Sequence, residues 1–391
     1  MALVTEQRSS RRPRPAHLAA LLGLVAVLLV TLLVAPDRAS AAGISGESVV
    51  HTNRVTEGDG TRVPDIISTS ETNAVVVWRE GTTANVLPDV GAKVFDHGYI
   101  RYSYTTNGGT SWSRPQTLAQ ETSEYSWHYV TLFETGGAIY AYLGRTSPAN
   151  RTGLPINAIV AKKSTDEGHT WQDVALNMPL SLVQDAPGYN LALAGRPLQL
   201  GVNRYVMPYW ETKRRNGLLY STDLVNWERR APVNNPLADQ PGEPQLVVSQ
   251  DDPDELLLVA RNTPATGTTS FAMTATTTDE GEGNNWTDFQ LSTTVPSNDS
   301  KGYFTKDSAG RYLTIYNSAK NRLALNYKVK PVGKSWLTAK PFADGPADTT
   351  SDGSGWDAYP MADEYAPGKF YVVWEYDTSR IKVAKLDISD L

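Results

Sequence analysis

An all-β chain wound into a six-bladed β-propeller is predicted by three features of the sequence. A short polar turn ending on tryptophan recurs five times, strand-like apolar segments recur six times, and residues 42–391 carry no sustained helical periodicity. The clearest copy of the turn is Ser164-Thr165-Asp166-Glu167-Gly168-His169-Thr170-Trp171, which reads S-x-D-x-G-x-T-W. A second runs Thr105-Thr106-Asn107-Gly108-Gly109-Thr110-Ser111-Trp112, and degenerate copies end on Trp227, Trp286 and Trp336. Successive tryptophans are 59, 56, 59 and 50 residues apart, a period that marks repetition of one supersecondary unit. In such a turn Asp or Asn folds back onto its own backbone, Gly supplies a positive φ, and Trp packs beneath. The boxes are therefore expected to be structural.

Taken from the N-terminus, Arg8, Arg11, Arg12 and Arg14 precede an apolar run over residues 18–35, and Ala39-Ser40-Ala41 follows as a small-residue cleavage site. Residues 1–41 read as a secretory signal peptide, so an extracellular protein with no stable membrane association after cleavage is expected. The chain has no cysteine, which excludes disulfide scaffolds, lipoprotein anchoring and Cys-based zinc sites. Removing residues 1–41 moves the formal charge from −6 to −9. An acidic protein without clustered Lys and Arg is not built to bind nucleic acid or an anionic membrane.

Six strand-like segments then follow at residues 73–80, 138–145, 204–211, 255–262, 311–318 and 369–377. Six segments against five boxes are reconciled if a strand near residues 48–52 completes the C-terminal blade, a closure that removes free sheet edges. Residues 42–391 are read as one domain and a monomer is expected. No H-E-x-x-H, nucleophile elbow or P-loop occurs, and no metal or cofactor is expected. Trp127-His128 is read as exposed loop rather than funnel lining.

Candidate site residues come from the strand ends. Arg62, Arg261 and Arg322 lie in or beside repeats of different blades. Converging on the axis, they would clamp a carboxylate through paired hydrogen bonds that Lys cannot reproduce.

That pattern resembles the exo-α-sialidase (neuraminidase) family of Asp-box propellers. Thr61-Arg62-Val63-Pro64 is similar to the family's F/Y-R-I-P, with Arg79 where a second arginine follows. Glu243-Pro244 and then Arg261 resemble the family's Glu and second triad arginine; Tyr316-Asn317-Ser318 and Arg322 resemble the segment carrying the third. Ala358-Tyr359-Pro360, Glu375 and Arg380-Ile381 resemble the terminal element that holds the nucleophilic tyrosine. The resemblance implies Tyr359 as nucleophile, Glu243 as its base, Glu375 fixing Arg62, Arg79 near the substrate, and an acid on the loop of residues 81–98. Asp96 is the first choice for that acid and Asp89 the alternative. Sialidases are an exception among glycosidases in using tyrosine. The anomeric carbon of a sialic acid bears a carboxylate, which a carboxylate nucleophile would approach like charge to like. The expected substrate is a sialylated glycan. A glycosidase or lyase acting on another acidic sugar, or a non-catalytic sialoside-binding lectin, are the alternatives.

Overall fold

The computed structural model describes residues 43–53, 59–86, 93–95, 98–146, 156–184, 190–211, 215–265, 271–279, 285–344 and 356–391. They form six small antiparallel sheets, numbered here as blades I to VI along the chain.

The six predicted segments are the second strands of the six blades: Ala74–Val86, Ala138–Thr146, Arg204–Glu211, Leu256–Thr263, Tyr312–Asn317 and Lys369–Tyr376. They are legible because each is covered on both faces. Ala74, Val75, Val76, Val77 and Trp78 are all buried, as are Phe370 through Trp374, so these strands read as unbroken apolar runs rather than alternating ones. Neighbouring blades share the cores between them: one cluster joins Trp78 of blade I, Leu313 and Tyr327 of blade V, and Tyr371 and Trp374 of blade VI.

Each box is the turn between the third and fourth strands of its blade. In blade II the Asp166 carboxylate accepts from Thr170 N at 2.9 Å and from the Thr170 hydroxyl at 2.6 Å, while the Ser164 hydroxyl accepts from Gly168 N at 2.9 Å. Gly168 has φ 86°, and a Cβ there would lie 2.8 Å from Val75 of blade I, so the turn also seals one blade against the next. Asn107 and Thr105 repeat the arrangement in blade I. In blade III the turn is one residue shorter, and Leu224, at φ 64°, takes the left-handed position. Trp227 donates to its carbonyl.

Blade VI has no box because its fourth strand comes from the other end of the chain. Ile44–Thr52 pairs antiparallel with Arg380–Asp387, closing the ring as expected. Blades I and III depart from four strands. Lys93–Phe95 adds to the second strand of blade I, and the inner strand of blade III is split into Leu191–Leu193 and Leu198–Gly201. At that split Arg196 turns toward the axis, where it pairs with Asp65 and Asp363 of blades I and VI and binds the Ala362 and Ile66 carbonyls. Among the described residues there is one helix, the short Leu180–Val183 between blades II and III. Residues 1–42, with the predicted signal peptide, lie outside the described residues, and among those residues no helix is long and apolar enough to cross a membrane.

Candidate active site

Four inner strands lose register with their neighbours at the same level of the ring. In blade I the break falls between Arg62 and Asp65, in blade II between Trp127 and Val130, in blade IV between Pro241 and Pro244, and in blade VI between Ala358 and Met361. The residues released from pairing are Val63-Pro64, His128-Tyr129, Gly242-Glu243 and Tyr359-Pro360. A bulge re-aims the side chain it frees, and proline, lacking a donor, suits such a break. The backbone carries strain at this level as well. Of nine non-glycine residues with positive φ among those described, Val63 (52°), Asp299 (52°), Arg322 (60°) and Tyr359 (54°) belong to this end of the axis.

Tyr359 stands at the centre of what these breaks assemble. Its hydroxyl donates to Glu243 Oε1 at 3.3 Å and accepts from Arg261 Nη1 at 3.4 Å. Arg261 Nη1 also donates to both Glu243 oxygens, at 3.3 and 3.2 Å. The Arg62 guanidinium carbon lies 5.3 Å from the Tyr359 ring centroid and that of Arg322 lies 5.6 Å from it. The structure thus brings Tyr359, Glu243, Arg62, Arg261 and Arg322 into one cluster, with each arginine from a different blade. Glu375, fully buried, lies against Arg62: its Oε1 accepts from Arg62 Nη2 at 2.9 Å and its Oε2 from Val63 N at 3.0 Å.

The three arginines differ in their counter-charges. Burial works against the charge of Arg62, but Glu375 and Tyr359 outweigh it and raise the pKa. Burial likewise opposes the charge of Arg261, and Glu243, Tyr359 and Asp299 together prevail. At Arg322 burial prevails, helped by the like charges of Arg261 and Arg62, and the pKa is lowered. Arg322 donates to the Asp299 carbonyl at 2.9 Å and stacks on Trp356 at 4.9 Å, with no carboxylate in ion-pair distance among the described residues.

Arg79 lies beside the cluster. It is buried, and its Nε donates to the Trp127 carbonyl at 2.9 Å, tying blade I to blade II. Asp96 and Asp89 lie outside the described residues. Trp127-His128 corrects the reading as exposed loop: both sit on the inner strand Ser126–Thr135, with Trp127 buried and its indole bound to the Gln120 carbonyl. The bulge was the missing cue, because one extra residue breaks the alternation by which a strand is recognised. Burial, with Arg79 and Arg62 nearby, pushes the His128 pKa well below its usual value, so the ring is neutral at pH 7.

Sequence reasoning also missed Tyr129, Asp299 and Lys301. Tyr129 is buried, and burial with Glu243 and Tyr359 nearby raises its pKa well above the usual value, so it stays protonated. Lys301 is buried ahead of the inner strand of blade V, and its pKa is lowered by that burial. None of the three stands in a motif; inter-blade packing alone brings them to the axis.

Residues 96–375 match the family model of the BNR repeat-like domain. No curated protein matches the sequence. Among solved structures the chain is similar to the Hadza microbial sialidase Hz136, with 15% identity and TM-score 0.65 over 85% of this chain and 66% of that one. It is similar to the NanB sialidase of Streptococcus pneumoniae, with 13% identity and TM-score 0.63 over 89% of this chain and 71% of that one. It is also similar to the α-L-arabinanase of Penicillium chrysogenum, with 13% identity and TM-score 0.58 over 89% and 99% of the two chains. At these identities the likeness is one of fold. The family match spans well over half the sequence, and the chain belongs to the BNR repeat-like domain family.

Proposed function

We propose that this protein is a secreted, retaining exo-α-sialidase that releases terminal sialic acid from glycoconjugates through a covalent adduct on Tyr359. The observation that carries the reading is the buried Tyr359–Glu243 pair ringed by arginines from three blades. A tyrosine of ordinary pKa near 10 is a poor nucleophile unless a base takes its proton, and Glu243 is placed to do so. The 3.3 Å separation is slightly long for transfer and would tighten with substrate bound.

Glu243 takes the phenolic proton as Tyr359 oxygen bonds to the anomeric carbon. The glycosidic bond breaks and its oxygen receives a proton from an acid, for which Asp96 or Asp89 is the sequence candidate. Water then attacks the same carbon, giving its proton to that carboxylate, and Tyr359 leaves and recovers its proton from Glu243. Arg62 and Arg322, beside Arg261, hold the substrate carboxylate throughout, and Glu375 keeps Arg62 in place.

The test is release of 4-methylumbelliferone from its α-sialoside by the purified protein, beside the glucuronide and the α-L-arabinofuranoside. Tyr359→Phe should keep the circular dichroism spectrum and lower kcat by at least about 10³-fold, the order of loss seen when a catalytic group is removed. Turnover of the sialoside that survives this change would overturn the nucleophile. Cleavage of either control sugar in its place would overturn the substrate class.

A further inference from the structure

Asp299 lies in the bend that leads into the inner strand of blade V, Tyr303–Lys306. Its Oδ1 accepts from Arg261 Nη2 at 2.8 Å and from the Thr263 hydroxyl at 3.4 Å, while its main-chain carbonyl accepts from Arg322 Nη2. The residue has φ 52°, a left-handed conformation that Asp and Asn adopt more readily than most side chains. One residue therefore holds two of the three clustered arginines, each through a different atom.

The effect on Arg261 is the more consequential. Its Nη1 is engaged by Glu243 and Tyr359 and its Nη2 by Asp299, so both terminal nitrogens already face acceptors of the protein itself. A ligand carboxylate arriving at these terminal nitrogens meets the Asp299 carboxylate already bound to Nη2, in a setting that screens the repulsion poorly. Arg322 has no carboxylate within ion-pair distance among the described residues: Tyr359 and the more distant Glu375 favour its charge, but burial, Arg261 and Arg62 prevail against them, and its Nη2 is held only by a carbonyl.

We propose that Asp299 is a specificity-determining residue: an internal carboxylate that competes with the carboxylate of a sugar acid for Arg261 and shifts the recognition of that group onto Arg322 and Arg62. The inference rests on the acidic-sugar reading above. It follows that the protein binds sialic acids more weakly than a cluster of three arginines alone would, and that the weakness is removable at one position. The left-handed backbone dictates the variants. Asp299→Gly suits positive φ and removes the side chain; Asp299→Asn keeps the shape and removes the charge.

Titration calorimetry with 2,3-didehydro-2-deoxy-N-acetylneuraminic acid, a ring sugar acid with no bond to cleave, separates the outcomes. Asp299→Gly should bind about tenfold or more tightly than the unaltered protein, the scale of one hydrogen bond to a charged group, with Asp299→Asn between them. Binding by the variants alone would support the same conclusion. If the unaltered protein binds and both variants bind equally or more weakly, Asp299 is only a brace for Arg261 and the inference fails while the acidic-sugar reading stands. If neither the unaltered protein nor a variant with unchanged unfolding temperature binds, the acidic-sugar reading fails and takes the inference with it.

Discussion

A guanidinium that is buried without a neighbouring carboxylate has a use for an anion that its paired neighbours lack. Among the described residues Arg322 has no carboxylate within ion-pair distance, and a ligand carboxylate would supply one. Arg322→Lys should lower kcat/KM for an α-sialoside by about 10- to 100-fold, because an ammonium cannot reproduce a two-point contact. Steady-state kinetics on the sialoside check this, and an unchanged value would remove Arg322 from carboxylate recognition. The arginines, Glu243, Tyr359 and Glu375 were legible in the sequence because each stands in a short motif and the motifs occur in order. Asp299, Tyr129, His128 and Lys301 were not. Their surroundings are made by strands far apart in the chain, as when Tyr129 of blade II meets Tyr359 of blade VI.

At the scale of the element, the box turn shows what its residue types do. Asp166 is half-buried, and its oxygens accept three hydrogen bonds from Thr170 and Ser164. Burial opposes its charge, but the hydrogen bonds from Thr170 and Ser164 prevail and lower its pKa to about 2. The stability this carboxylate supplies is present above its unfolded pKa of about 4 and is lost as pH falls toward 2. Asp166→Ala should cost about 1 kcal/mol in urea unfolding at pH 7, and the difference from the unaltered protein should shrink below pH 4. Asp166→Asn should be nearly neutral, since Asn107 makes the corresponding contact in blade I. A cost that does not change with pH would assign the effect to packing. The boxes and second strands were readable because both are local: a turn needs particular residues, and a strand covered on two faces needs an apolar run. The inner strands were harder to read, since a bulge in each of four breaks the alternation that identifies a strand, and the split in blade III follows from the turn of Arg196 toward the axis.

For the whole molecule, the ring is held closed by one pairing between the two ends of the described fold, Ile44–Thr52 on Arg380–Asp387. Val50 is buried in that seam, and the His51 ring stacks on Trp78 at 5.2 Å. Deleting residues 42–53 should lower the unfolding free energy by at least about 3 kcal/mol, from lost apolar burial alone, and should promote association through the bared edge. Calorimetry and light scattering check both, and an unaltered unfolding temperature would show that the seam is not what closes the ring. The count of six blades was readable from spacing, while the extra strands were not: Lys93–Phe95 lies in the loop between two strands of blade I, and in blade III the inner strand is split around Arg196.

The same seam imposes an order in time. The strand that completes the last blade is synthesised first and waits, unpaired, for more than three hundred residues before its partner exists. Until then five blades are assembled around an axis that is open on one side, and the arginines of blades I, IV and V have no Tyr359 to surround. The site therefore comes into being only at the final step of folding, so any process that interrupts synthesis short of blade VI yields a protein with neither a closed ring nor an assembled site.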